Sequence, residues 1–115
     1  MLLNLSNHPV SDWPANQLQS AQELYSTVND IPFPQIDPAM NSDKLEELVK
    51  EYITKIIQAN PTAVHIMGEL TFTYRLVNKL NAIGIPCIAS TTERKAAIEN
   101  NIKTSQFQFV QFRPY

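Results

Sequence analysis

Three short polar segments carry the side chains that could do chemistry in this chain. They are Ser6–His8, Gly68–Glu69 and Ser90–Arg94, and each directly follows an apolar stretch. An imidazole in a turn, such as that of His8, can act as a general base or donate a hydrogen bond to a phosphate. The guanidinium of Arg94 can pair with two oxygens of a phosphate or carboxylate. These residue types predict an anion site with Arg94 as its charge and His8 as its proton carrier. A locally bonded turn histidine and an Arg94–Glu93 surface pair are the simpler alternatives.

Hydroxyls and a glycine complete the candidate site. Ser6, Asn7, Thr91 and Thr92 supply polar groups beside His8 and Arg94. A glycine between a strand and a helix permits close backbone approach, and the helix start beyond it can present free N–H groups to an anion.

The residues around Gly68 have a plainer interpretation as well. Gly68 could simply make a tight turn, and Thr71 could cap the helix instead of donating to a ligand. Glu69 could act as an acid or base, or could only favour the positive end of the helix dipole.

The sequence lacks the motifs that bind several classes of cofactor. The chain has neither a Gly-x-x-x-x-Gly-Lys loop nor a Gly-x-Gly-x-x-Gly fingerprint, so we expect no nucleotide cofactor of those types. His8 and His65 are too far apart in sequence to show metal-ligand spacing, and no metal site is expected. His65 lies inside an apolar strand pattern and is predicted to be a packed core residue. The lone cysteine, Cys87, is predicted to be a buried small hydrophobe rather than a reactive thiol.

The hydrophobic pattern predicts the elements that must position these residues. Strand and helix signals alternate in the order β-α-β-α-β-α-β-β, which favours a mostly parallel sheet with helices on both faces. The strand over 28–33 contains prolines and should end early or lie at an edge. Asp43 and Glu46 resemble a capping box at the start of the clearest helix.

The C-terminal region allows two interpretations. Asn100-Asn101 could turn a hairpin between residues 94–99 and the aromatic run 107–112, and we favour this interpretation. Residues 94–99 are also good helix formers, which leaves a short helix as the alternative. The predicted fold is therefore a Rossmann-like three-layer sandwich with an antiparallel C-terminal edge strand or hairpin. In such a fold, ligands bind beyond the carboxyl ends of the strands.

Composition limits the function classes. The 115 residues match one domain in length, and the net charge of −2 gives no electrostatic footprint for duplex nucleic acid. A single cysteine allows no intrachain disulfide and suits a reducing compartment. No run approaches the length of a membrane span, and the N-terminus has no basic region of a signal peptide. We expect a cytoplasmic protein.

The segments Ser-Asn-His-Pro, Met-Gly-Glu and Ser-Thr-Thr-Glu-Arg, in this architecture, resemble a known family. The chain resembles small stand-alone CRISPR-associated Rossmann-fold (CARF) proteins and the ring nucleases of type III systems, which act in antiviral defence. The resemblance covers nearly the whole chain in architecture. It implies a homodimer that binds cyclic oligoadenylate across its two-fold axis, and in some members cleaves it without metal.

Carried onto this sequence, the resemblance gives Ser6, Asn7 and His8 contacts to phosphate or ribose. It implies that Gly68 and Glu69 line the pocket, and that Thr91, Thr92 and Arg94 hold the phosphates. His8, Ser6 and Arg94 would be the catalytic groups. The competing hypothesis is a non-enzymatic interaction module that dimerises or binds a partner through its C-terminal strand.

Overall fold

The computed structural model of this protein describes residues 1–115, and it forms one five-stranded sheet with three α-helices. In chain order the elements are β1 (Leu2–Ser6), a short 3-10 helix (Val10–Asp12), α1 (Ala15–Tyr25), β2 (Val28–Asp30), α2 (Ser42–Ala59), β3 (Ala63–Met67), α3 (Leu70–Ala82), β4 (Cys87–Glu99) and β5 (Ile102–Pro114). None of the helices is both long and apolar enough to cross a membrane.

The sheet order is β2-β1-β3-β4-β5, and only the β4–β5 pair is antiparallel. The chain leaves β1 toward one edge and later returns across it to build β3 on the other side. This reversal places the topological switch point between β1 and β3, where α/β proteins of this strand order bind ligands. The predicted Rossmann-like class with an antiparallel C-terminal hairpin is confirmed. As its prolines predicted, β2 is a short edge strand.

The two faces of the sheet are packed unequally. Leu3, Leu5 and their neighbours on one face pack against α2 and α3 in a core of 13 buried residues. The other face is covered by α1 and has a smaller core of five, among them Leu2 and Trp13. Because side chains alternate along a strand, the polar residues Asn4 and Ser6 share this second face with Leu2. The polar half of the fold is therefore the α1 side.

The start of α2 differs from the predicted capping box. Asn41 is the N-cap, and its side chain accepts a hydrogen bond from the backbone N–H of Lys44. Glu46 reaches away from the cap and forms ion pairs with Arg75 and Lys79 on α3. The Lys79 ammonium in particular lowers the pKa of Glu46. This carboxylate therefore joins two helices instead of closing one.

The C-terminal hairpin is longer than the sequence suggested. Residues 94–99 are strand, so the hairpin prediction is confirmed and the helix alternative is wrong. Only Cys87 and Ile88 of β4 pair with β3, and from Ala89 onward β4 pairs with β5 alone. The expectation that Ser90–Arg94 follow the end of a strand is also wrong, because β4 continues through them. We call the two-stranded extension, residues 90–112, the ribbon.

Candidate functional site

The candidate site lies at the carboxyl ends of β1 and β3. Ser6 pairs with Met67 at the last register position, and the backbone N–H of Asn7 donates to the carbonyl of Met67. Two clefts flank this point. The proline-side cleft, of about 890 Å³, lies between Asn7 and the segment 30–36. The hairpin-side cleft, of about 580 Å³, lies between the same strand end and the ribbon.

The hairpin-side cleft collects most of the polar residues that the sequence singled out. Its walls come from the end of β1, the start of α1, β3 and the ribbon. They include Ser6, Asn7, His8, Trp13, His65, Gly68, Ser90, Thr92, Phe107 and Phe109. Residues separated by more than 80 positions thus meet in one cleft, as the parallel-sheet rule predicted.

A buried amide holds this site together. Asn4 is 1% exposed, and its Nδ2 donates to the carbonyl of His8 at 2.9 Å and to Oδ1 of Asp30 at 2.8 Å. Its Oδ1 accepts from the Ser6 hydroxyl at 2.8 Å and lies 2.9 Å from Nδ1 of His65. One side chain therefore links the ends of β1 and β2, the turn at His8 and the middle of β3.

Ser6 and His8 are fixed differently from each other. The Ser6 hydroxyl is buried and lies within hydrogen-bond distance of both Asn4 Oδ1 and the His8 carbonyl. That carbonyl also accepts from Nε1 of Trp13 at 3.0 Å, which anchors the turn. The His8 side chain remains exposed at the cleft. Ser6 is therefore suited to hold the turn, and the His8 imidazole is the group free to meet a ligand.

His65 forms part of the floor of the hairpin-side cleft. It is 2% exposed and packs edge-on against the rings of Trp13 and Phe112, with centroids 5.2 and 5.6 Å away. Burial, with a contribution from His8, lowers its pKa to about 4. The core-histidine prediction is confirmed. However, Nε2 has no hydrogen-bond partner within the chain, which sequence reasoning did not anticipate.

Gly68 makes the predicted close approach, but to a side chain of the protein itself. A Cβ built on Gly68 would lie 2.3 Å from the ζ carbon of Phe33. The Phe33 ring covers this glycine and packs edge-on against Phe72 below it. The glycine is therefore needed so that the segment after β2 can seal against the turn before α3. Gly68 therefore does not bring the backbone close to a bound anion, as the sequence predicted, because the Phe33 ring fills that space.

The start of α3 is already occupied by a carboxylate. Glu69 is the N-cap and accepts from the backbone N–H groups of Thr71 at 3.0 Å and Phe72 at 2.8 Å. These bonds, with the one from the Thr71 hydroxyl, lower the pKa of Glu69. The prediction of free N–H groups for an anion is wrong here, because the carboxylate takes them and would repel a second negative charge. Thr71 supports the cap and does not form it.

The ribbon separates the residues expected to hold phosphates. Ser90 and Thr92 line the hairpin-side cleft, whereas the Thr91 hydroxyl lies on the other face and donates to the carbonyl of Gln111. Arg94 is two residues beyond Thr92, opposite Phe107 in the register, and its guanidinium donates to the Ser105 hydroxyl at 2.9 Å. Thr92 is thus in the cleft, Arg94 is on the same face beyond it, and Thr91 is outside.

Sequence reasoning missed four residues that shape the site: Asn4, Trp13, Asp30 and Phe33. Asn4 did carry a signal, since it is the only polar residue between leucines in the first strand. No group of three or more histidine, cysteine or acidic side chains lies together in the arrangement of a metal site.

The fold and the clefts define a doubly wound, Rossmann-like α/β protein with its candidate site at the β1/β3 switch point. The chain matches the model of the Uncharacterized protein MJ1673 family over residues 1–113, and it belongs to that family. No curated protein and no solved structure matches it.

Proposed function

We propose that this protein binds a nucleotide, of the cyclic oligoadenylate type, in the hairpin-side cleft. One observation carries the proposal: the switch-point cleft has the imidazole of His8 on its body side, and hydroxyl groups and aromatic rings on its ribbon side. Ser90, Thr92 and His8 are suited to phosphate and ribose oxygens. Phe107, 69% exposed on the ribbon, is suited to stack on a base.

The charge distribution supports the ribbon as the phosphate-binding wall. Glu69 occupies the N-terminus of α3, so the start of that helix is not available to a phosphate. On the ribbon, the positive group nearest the cleft is Arg94, which lies on the same strand face as Thr92. Arg94 is exposed and bonded only to the Ser105 hydroxyl, a contact that a phosphate can replace. A charge-assisted bond to phosphate is stronger than one to a neutral hydroxyl.

The same groups could support metal-independent cleavage. The ribose 2′-oxygen attacks the adjacent phosphorus, the new P–O2′ bond forms and the P–O5′ bond breaks. His8 accepts the 2′-hydroxyl proton, and a proton from solvent completes the 5′-hydroxyl. Arg94 balances the charge that develops on the phosphorane oxygens. The products are a 2′,3′-cyclic phosphate and a 5′-hydroxyl.

Binding is tested by titrating the purified protein with cyclic tetra-adenylate and cyclic hexa-adenylate. Phe107→Ala should weaken binding about 5- to 150-fold, the equivalent of one lost base stack. Ile102→Ala is the matched control, because Ile102 is 63% exposed on the opposite face of the ribbon and should bind as wild type. Absence of binding to either ring, by calorimetry and thermal shift, would overturn the proposal.

Cleavage is tested with the same rings in EDTA, with products resolved by chromatography. Arg94→Ala and His8→Ala should abolish product formation, whereas Lys95→Ala, on the opposite ribbon face, should not. If the protein binds the rings but forms no product, the proposal of nucleotide binding stands and the proposal of ring-nuclease activity is overturned.

A second candidate function is self-association through the ribbon, and a specific observation favours it. The ribbon face that carries Thr92 also carries Phe107 and Ile98, each 69% exposed, while most of the other face is polar. A two-stranded hairpin with no third strand is only marginally stable in water. The exposed apolar side chains of this face, Phe107 and Ile98, therefore have no cover within the chain.

A second copy of the chain has a surface suited to that cover. Leu70 and Tyr74, one turn apart on α3, are 81% and 71% exposed. Ten paired positions at ~3.3 Å per residue and two strand widths give the ribbon face roughly 330 Å². If each protomer gives its ribbon and receives its partner's, about 1,300 Å² is buried in total, within the range of stable interfaces.

Analytical ultracentrifugation tests this candidate. Ile98→Asp and Leu70→Lys should each shift a dimer toward monomer. Ile102→Asp, on the other ribbon face, and Leu24→Lys, on a 63% exposed site of α1, are the matched controls and should leave the dimer unchanged. A monomeric wild-type protein, or equal effects of variants and controls, would rule out this arrangement.

A further inference from the structure

The hydrogen-bond network around Asn4 fixes the orientation of its amide. The carbonyl of His8 and the carboxylate of Asp30 can only accept hydrogen bonds, and both lie within 2.9 Å of one end of the amide. That end must therefore be the NH₂ group. The amide oxygen consequently faces Ser6 and His65.

The orientation of Asn4 in turn fixes the tautomer of His65. An amide oxygen cannot donate, so the 2.9 Å contact requires that Nδ1 of His65 carries the proton. Burial keeps the ring neutral, since it lowers the pKa to about 4. Nε2 is then an unprotonated nitrogen whose lone pair points away from Asn4.

This lone pair is left unused by the chain. Nε2 is buried and has no backbone or side-chain partner, and the rings packed edge-on against the imidazole belong to Trp13 and Phe112. Buried polar atoms nearly always have a partner, because an unsatisfied one costs free energy. His65 is also one of the residues that line the hairpin-side cleft, so its ring borders the space that a ligand would occupy.

We propose that Nε2 of His65 accepts a hydrogen bond from the ligand in the hairpin-side cleft, and thereby selects an amino-bearing base over its oxo counterpart. The inference rests on the proposed nucleotide-binding function and assigns it a specificity-determining residue. An exocyclic amino group donates to the lone pair. An oxo group at that position places two acceptors against each other, and such a site rejects the mismatched analogue because its own acceptor stays unpaired.

The series of hydrogen bonds from Asp30 through Asn4 to His65 makes this selectivity depend on residues that do not touch the ligand. Asp30 orients the amide, the amide sets the tautomer, and the tautomer leaves an acceptor at Nε2. Asp30 and Asn4 are therefore positioning residues, and His65 is the residue that would contact the base.

The test compares binding of cyclic tetra-adenylate with that of cyclic tetra-inosinate, in which each amino group is replaced by an oxo group. Wild type should bind the adenylate at least about 10-fold more tightly. His65→Phe keeps a planar ring but has no acceptor, and should bind both rings equally. His65→Gln can again present an acceptor and should restore part of the preference.

A measurement on the wild-type protein avoids any folding defect in the variants. With ¹⁵N-labelled histidine, the Nε2 resonance should have the shift of an unprotonated nitrogen in the free protein, and should move toward the hydrogen-bonded range only when the adenylate ring is added. If the wild type binds neither ring, the proposed function itself fails. If it binds both equally, or if Nε2 does not respond to a bound ring, nucleotide binding stands and the role of His65 is overturned.

Discussion

The ring of Phe33 lies directly over the α carbon of Gly68, so closely that a methyl group on that carbon would meet the ζ carbon of the ring at 2.3 Å. The contact joins the segment after β2 to the turn between β3 and α3. It also closes the floor of the proline-side cleft, which includes Phe33 and Glu69. Phe33 packs in turn on Phe72 of the main core, so moving the ring away from the glycine would weaken that contact.

Gly68→Ala should therefore destabilise the protein by about 1–3 kcal/mol, the usual cost of forcing extra volume into a packed site. Urea denaturation measures the change. In a Phe33→Leu background the same substitution should cost much less, because the smaller side chain gives way. An equal cost in both backgrounds would show that the glycine is required for its backbone conformation and not for the Phe33 contact.

The Glu69 cap gives a second prediction. Glu69→Ala removes the acceptor for two backbone N–H groups at the start of α3 and should cost about 0.5–2 kcal/mol. The bonds lower the pKa of this carboxylate, so its contribution is present above the unfolded pKa of about 4.5 and is lost as the pH falls through the lower folded value. Glu69→Ala should thus lose its stability difference from wild type in acid. Glu47→Ala, on the exposed face of α2, is the control and should change stability by less than about 0.5 kcal/mol.

Much of the fold was predictable because its signals are local. The helical spacing of Leu45, Val49 and Ile56 defines α2, and the apolar run at Val64 defines a central strand. Once the elements alternate, the rules for parallel sheets bring their carboxyl ends together without any motif. The meeting of Ser6 with Gly68 was predictable for that reason.

The misassigned features depend on groups that are distant in sequence. Nothing near Gly68 reveals that Phe33, 35 positions earlier, will cover it. The polar residues of Ser90–Arg94 predict the end of a strand, but both faces of the ribbon are largely exposed there, so polar side chains are compatible with a continuing strand. The tautomer of His65 depends on Asn4, which lies 61 positions away.

The buried His65 predicts a pH dependence of folding. The pKa of His65 is about 4 in the folded protein, whereas the ordinary histidine value of 6.5 applies to the unfolded chain. Between these two values the unfolded chain binds a proton that the folded chain does not. Stability from this residue is complete above pH 6.5 and falls as the pH drops toward 4, by about 2 kcal/mol between pH 7.5 and pH 5. Urea midpoints at the two pH values measure the loss. His65→Phe should show a loss smaller by about that amount, whereas an unchanged loss would place the titrating group elsewhere.

The last prediction concerns the four hydrogen-bond contacts of the Asn4 side chain. Asn4→Ala removes four contacts at once and leaves Nδ1 of His65 buried without an acceptor, while the Ser6 hydroxyl can still reach the His8 carbonyl. The expected cost is about 2–4 kcal/mol, larger than for a typical single substitution, because a buried donor loses its partner. Asn7→Ala is the matched control: Asn7 is exposed, its side chain makes no hydrogen bond, and stability should change by less than about 0.5 kcal/mol.

The two variants also separate stability from the geometry of the site. With Asn4 gone, the proton of His65 is free to move to Nε2, because the acceptor that held it on Nδ1 is lost. ¹⁵N spectra of folded Asn4→Ala should therefore show both tautomers, and those of Asn7→Ala only the Nδ1–H form. A single Nδ1–H tautomer in both proteins would mean that the strand environment, and not the amide of Asn4, orients the imidazole.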